Sequence, residues 1–241
     1  MTATQHDRDL VRVIENTRCV LLDFDGPICQ VFAGVLASTV AAELRAVITA
    51  QGVAIPSHVR NKAGPHDLLH FAATISASLA QQVDRTLRTA ETEAADSAQP
   101  TSGATELLTA CRDTSRPVAI VSNNAREAVT AYLARAGITD FINHIEGRDP
   151  RDPALMKPNP YLVSQALHAL DASPSECTLV GDSQTDIHAA HRAGVQSISY
   201  INKPEKAARL AAAGADAQVD DMADLARALR SQTVIPQPFR Q

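Results

Sequence analysis

Four short apolar runs, at residues 18–23, 117–122, 177–182 and 195–200, restrict what this chain can fold into more than any other feature. The first three end in Asp23, Ser122 and Asp182. Short apolar runs bounded by such punctuation read as strands buried on both faces. Helical spacing separates the later runs, at 127–135, 161–170 and 185–192, with Gly137 and Gly194 closing two of these stretches. Strands alternating with helices of this size predict an α/β fold, a parallel sheet with helices on both faces.

Residues 32–96 break the alternation. They carry no strand pattern and read as helices over 32–50, 64–79 and 81–95. Because they lie between the first two strands, a helical insertion is expected at residues 28–98, inside a core made of residues 1–27 and 99–230. Gly26-Pro27 marks the outward link, and Gln99-Pro100-Thr101-Ser102-Gly103 marks the return. A short amphipathic helix is expected at 7–16. Residues 231–241, with two prolines and little pattern, are expected to be a flexible tail.

Composition excludes several classes of function. Tryptophan is absent and aromatic residues make up 3% of the chain, so the core must be built from Ala, Leu, Val and Ile. Few rings are available for stacking on single-stranded nucleic acid. Lys and Arg number 22 against 27 Asp and Glu, and a formal charge of −5 speaks against binding nucleic acid or an anionic membrane. No apolar run approaches the ~18 residues of a membrane span. The first nine residues lack a basic patch followed by an apolar stretch, so they do not read as a secretion signal. Cys19, Cys29, Cys111 and Cys177 are scattered without a C-x-x-C pair, which suits reduced thiols in a cytoplasmic protein.

In open parallel sheets, ligands gather at the carboxyl ends of the strands. There the chain places Asp23-Phe24-Asp25-Gly26, Ser122-Asn123-Asn124 and Gly181-Asp182-Ser183-Gln184-Thr185-Asp186, while Met156-Lys157-Pro158 opens the helix before the third run. Four carboxylates with one lysine suit a hard cation and a phosphate, since such cations take oxygen ligands and lysine binds phosphate as a point charge. Asp23-x-Asp25-Gly26, Ser122-Asn123, Lys157-Pro158 and Gly181-Asp182-x-x-x-Asp186 together resemble the four ordered motifs of the haloacid dehalogenase superfamily. The likeness covers roughly residues 17–28 and 100–200. The insertion resembles the helical cap of the superfamily's phosphoglycolate phosphatase-like members.

The resemblance implies a Rossmann-like core and a magnesium-dependent phosphatase acting on a small phosphorylated metabolite. Asp23 would be the nucleophile that forms an aspartyl-phosphate. Asp25 would protonate the leaving oxygen and later deprotonate water, which requires its protonated form to be favoured. Mg2+ would be held by Asp23, the Asp25 backbone carbonyl and Asp182, with Asp186 at the metal site holding Lys157 or a metal-bound water. Ser122, Lys157, Gly26 and Asn123 would surround the phosphoryl group.

Pro27 stands where the superfamily usually carries Thr or Val, which stiffens the chain and removes one N–H. A capped sugar-phosphate mutase and a non-catalytic phosphate-binding module remain alternatives. Dehalogenation fits poorly, because it needs neither Asp25 nor the metal carboxylates. Asn124 reads as a turn residue, and His188 and His191 as structural. His66-Asp67-Leu68-Leu69-His70 mimics a zinc-protease motif but lacks a third ligand, so helix surface or substrate contact is expected there.

Overall fold

The computed structural model describes residues 5–62 and 64–232. In chain order, helix α1 (Gln5–Asn16) leads into strand β1 (Cys19–Leu22), and a short strand β2 (Cys29–Gln30) follows. Helices α2 (Ala37–Ala50), α3 (Ser57–Lys62), α4 (Pro65–Ile75) and α5 (Ala77–Ser97) come next, and the chain returns through β3 (Gln99–Pro100). The remainder alternates: α6 (Ala104–Asp113), β4 (Val118–Val121), α7 (Arg126–Ala136), β5 (His144–Glu146), α8 (Tyr161–Ala169), β6 (Cys177–Gly181), α9 (Gln184–Arg192), β7 (Gln196–Tyr200), α10 (Ala207–Ala212), β8 (Ala217–Val219) and α11 (Met222–Ser231).

Six of the strands form one sheet in the order β5-β4-β1-β6-β7-β8, with every neighbouring pair parallel. The expected α/β architecture is the one observed. β1 is central because all four of its side chains are buried. Alternation then sorts them to the two faces. Val20 and Leu22 join α1, α6, α7 and α11 in one core, while Cys19 and Leu21 face α8 and α9 in another. Strand order reverses at β1, and Leu22 stands level with Ile120 of β4 and Val180 of β6. The residues that leave these three strands therefore meet at one sheet edge, which is where a ligand crevice forms.

Helices α2, α4 and α5 enclose a third apolar cluster around Leu44, Ile48, Leu68, Leu69, Val83 and Leu87. Two boundaries differ from those read in the sequence. The first helix begins at Ala37, because Val31–Ala33 forms a tight 3-10 turn instead. The break between the last two helices falls at Ser76, whose hydroxyl accepts from Leu79 N at 3.1 Å and caps α5. The two links to the core are also not separate loops. Cys29 pairs with Pro100 and Gln30 with Gln99 in a small antiparallel ribbon, and Thr101 N donates to Ile28 O. Ser231 still belongs to α11, and residues 233–241 of the expected tail lie outside the described residues. Among the described residues, no helix is long and apolar enough to cross a membrane.

Candidate active site

Asp23 leaves β1 with its backbone N–H still donating to Val180 O, so the sheet ladder fixes where its side chain begins. Its Oδ1 accepts from Phe24 N at 2.8 Å and lies 2.8 Å from Lys157 Nζ. Lys157 arrives from the loop before α8 and is buried. Its ammonium also reaches Asp186 Oδ1 at 2.6 Å and donates to Val121 O at 2.7 Å. An ammonium has three N–H donors, and here three partners claim them. Asn123 orients the Lys157 backbone from both sides: its amide donates to Lys157 O at 3.1 Å and accepts from Lys157 N at 2.8 Å.

Asp186 occupies the first turn of α9, where it forms a capping box with Ser183. Its Oδ2 accepts from Ser183 N at 3.0 Å, which leaves Oδ1 turned to Lys157. It is thus a helix-start acid and a lysine partner at once. Gly181 permits this approach, since a side chain there would meet Asp186 Cβ at 2.4 Å. Gly26 plays the matching part for Asp182. It lies at φ +119°, and a Cβ would stand 2.6 Å from Asp182 Cγ.

Asp23, Asp182 and Asp186 each present a carboxylate oxygen within 4.8 Å of the others. Burial first, then the neighbouring Asp186, push Asp23 up to about 8, and Lys157 opposes the shift. Lys157 in turn is held above the usual lysine range by Asp186 and Asp23, against the pull of burial. Asp182 is covered by Lys206 Nζ at 2.5 Å and by Asn202 Nδ2 at 2.7 Å, both from the segment after β7. Carboxylates this crowded relax when positive charge is added, and the all-oxygen donor set fits a hard divalent cation. Asp25 stands apart from the three. Its Oδ1 accepts from Val31 N at 3.0 Å, and burial raises its pKa.

Ser122 is fully buried, and its hydroxyl is engaged in a local turn. Oγ donates to Asn124 Oδ1 at 3.1 Å and accepts from Asn124 N at 3.1 Å. Asn124 is the turn residue the sequence suggested, and its amide also donates to Glu91.

A family model described as haloacid dehalogenase-like hydrolase matches residues 20–200, three quarters of the chain. The chain belongs to this family. Among curated relatives of this chain is the phosphoglycolate phosphatase of Pectobacterium atrosepticum, 39% identical over 82 residues, or 34% of either protein. The pyrophosphatase PpaX of Bacillus thuringiensis is 32% identical over 108 residues, 45% of this chain and 49% of that one. The chain thus spans about half or less of the length of the curated relatives it matches. Solved structures share its fold over more of its length. A predicted phosphatase from Clostridium acetobutylicum superposes with a TM-score of 0.68 at 16% identity, covering 88% of this chain and 97% of the other. CbbY from Rhodobacter sphaeroides, in complex with phosphate, superposes with a TM-score of 0.64 at 17% identity, covering 87% and 96%.

Sequence reasoning missed several residues that meet at or beside the site. Lys206 and Asn202 lie beyond a strand to which no motif was assigned. His66, read as helix surface or a substrate contact, bonds the buried Glu91 at 3.1 Å. Glu91, Asp84 and Arg148 form a buried charged cluster beside the Ser122–Ala125 turn. One signal was present. Asp84, Leu87, Glu91 and Ala94 follow the helical spacing of a single face, and acids set within an apolar stripe are rarely solvated.

Proposed function

We propose that this chain is a magnesium-dependent phosphatase that hydrolyses a small phosphomonoester through an aspartyl-phosphate on Asp23. The observation that carries this reading is the placement of Asp23 at the sheet's switch point, with Lys157 at 2.8 Å and two further carboxylates within 4.8 Å. The names of the partial relatives, a phosphoglycolate phosphatase and a pyrophosphatase, support a small phosphorylated substrate.

Two donors anchor Asp23 Oδ1 and so set the direction of the carboxylate. Asp23 attacks phosphorus, the bond to the leaving oxygen breaks, and that oxygen takes the proton of Asp25. Burial favours the protonated form of Asp25 that this step requires. Water then attacks the phosphorus of the aspartyl-phosphate and returns a proton to Asp25, and phosphate departs with Asp23 restored. Lys157 offsets the charge of Asp23 as it approaches an anionic phosphate, and Asp186 holds Lys157 in place. Asp23, Asp182 and the Asp25 carbonyl would hold Mg2+, which when bound neutralises part of the phosphate charge. Gly26 and the backbone around Asn123 border the phosphate position. Residues 28–98 act as a cap that sets substrate choice, and His66 is a cap side chain near enough to oppose slightly the burial that raises the pKa of Asp25.

Hydrolysis of a panel of phosphorylated metabolites and of an aryl phosphate, with Mg2+ and with excess chelator, tests the reading. Turnover is expected with Mg2+ and is expected to fall to background in chelator, with Ca2+ failing to restore it because its larger, looser shell mispositions Asp23. Full turnover in chelator, or none with any phosphomonoester, would overturn the proposal.

A further inference from the structure

The Ser122–Ala125 turn is held from outside the core by one residue of the insertion. Glu91 lies on α5 and is completely buried. Its Oε2 accepts from Ala125 N at 2.9 Å, and its Oε1 accepts from Asn124 Nδ2 at 3.2 Å. Both Glu91 oxygens also take the Arg148 guanidinium, at 2.9 and 3.1 Å. Arg148, from the loop after β5, donates at 2.6 Å to the carbonyl of Asn123, the residue whose side chain clamps the Lys157 backbone. Asp84 takes the remaining Arg148 edge at 2.8 Å and is itself closed off by Arg88 at 2.5 Å.

Nearly every strong polar atom in this cluster is satisfied, and the cost of burying its charges is met only if all members stay in place. Burial alone would raise the pKa of Glu91, but Arg148 and His66 together hold it down at about 2. A permanent anion therefore sits behind the turn. Nearby, the part-exposed pair of Arg88 with Glu127 also ties α5 to the core, at α7, but is worth only ~0–1 kcal/mol. The buried cluster ties α5 to the 122–125 turn, beside the apolar packing of Ala94 and Ala95 on the core and the bonds from Arg135 to the carbonyls of Ala95 and Ala98.

We propose that Glu91 is a positioning residue of the phosphate site. Together with Arg148 it fixes the 122–125 turn, and through Asn123 the backbone of Lys157, so that the donors facing a phosphoryl group are set by the insertion and not by the core alone. This rests on the phosphatase reading, in which that turn and Lys157 handle phosphate.

The test measures inorganic phosphate binding by calorimetry in saturating Mg2+, alongside kcat, KM and thermal unfolding. The proteins are the wild type, Glu91→Gln and the double variant Glu91→Gln with Arg148→Met. Glu91→Gln is expected to stay folded, to weaken phosphate affinity and lower kcat by roughly tenfold or more, and to leave Mg2+ affinity unchanged. The double variant, which leaves no orphaned guanidinium and keeps Asp84 on Arg88, is expected to regain thermal stability without regaining phosphate affinity. Phosphate affinity equal to wild type in folded Glu91→Gln, or affinity that returns together with stability in the double variant, would overturn the proposal. If phosphate affinity weakens as stated while the wild type hydrolyses no phosphomonoester, the positioning role stands and the phosphatase reading fails.

Discussion

Asp23→Asn is expected to abolish phosphomonoester turnover, with a loss of ~10³-fold or more, while the fold is kept. An amide cannot form the acyl-phosphate, and neither neighbouring acid takes its place, since Asp25 is turned to Val31 N and Asp186 to Lys157. The substitution nearly preserves shape, and Phe24 N can still donate to the remaining carbonyl oxygen. Its effect on stability depends on pH. With the Asp23 pKa pushed up to about 8, the folded wild type without metal holds a proton there that the unfolded chain releases near pH 4. Wild-type stability therefore falls as pH rises from about 4 to about 8, and Asn carries no such dependence. In chelator, the melting temperature of the variant should gain on wild type between pH 6 and pH 9. Near-wild-type turnover, or a relative melting temperature that moves the other way, would remove Asp23 from its assigned place.

Lys157→Met is expected to damage folding and chemistry together. Removing the ammonium leaves Asp23 and Asp186 buried without their shared cation and leaves Val121 O without its donor. Breaking one side of a buried ion cluster costs ~3–5 kcal/mol, far above the ~0–1 kcal/mol of a surface pair. Urea unfolding should show this loss in chelator, and added Mg2+ should recover part of it by supplying positive charge to the same oxygens. The loss in kcat/KM should be similar for chemically unlike substrates, because in the proposed mechanism Lys157 serves the phosphoryl group they share. Unchanged stability, or a loss confined to one substrate, would contradict this account.

Much of the fold was legible because the central strands are buried on both faces and so read as short unbroken apolar runs. β5 and β8 were not. Each has three residues and lies at a sheet edge, where His144 and Gln218 dilute the pattern. The break at Ser76 was missed because apolar spacing continues across it, and the capping hydroxyl was the better signal. Asp23, Asp182, Asp186 and Lys157 could be read because each follows a strand or opens a helix, positions that topology brings together. Glu91 and Arg148 could not, because a charged residue in the middle of a helix or loop looks solvated until its partner is known. Their pairing spans 57 positions in sequence, and no local pattern encodes it. Lys206 is hidden in the same way from Asp182, 24 positions earlier.

In the proposed hydrolysis a covalent phosphoryl group passes through Asp23. The direct measurement is to quench the enzyme during turnover of an aryl phosphate with Mg2+, reduce it with a hydride donor, and map the peptides by mass spectrometry. An aspartyl-phosphate is an activated acyl group that hydride reduces to the alcohol, whereas free carboxylates resist. Homoserine is expected at position 23 alone, dependent on substrate and absent in Asp23→Asn. Turnover with Asp23 unmodified, or with the label on Asp25 or Asp182, would contradict it.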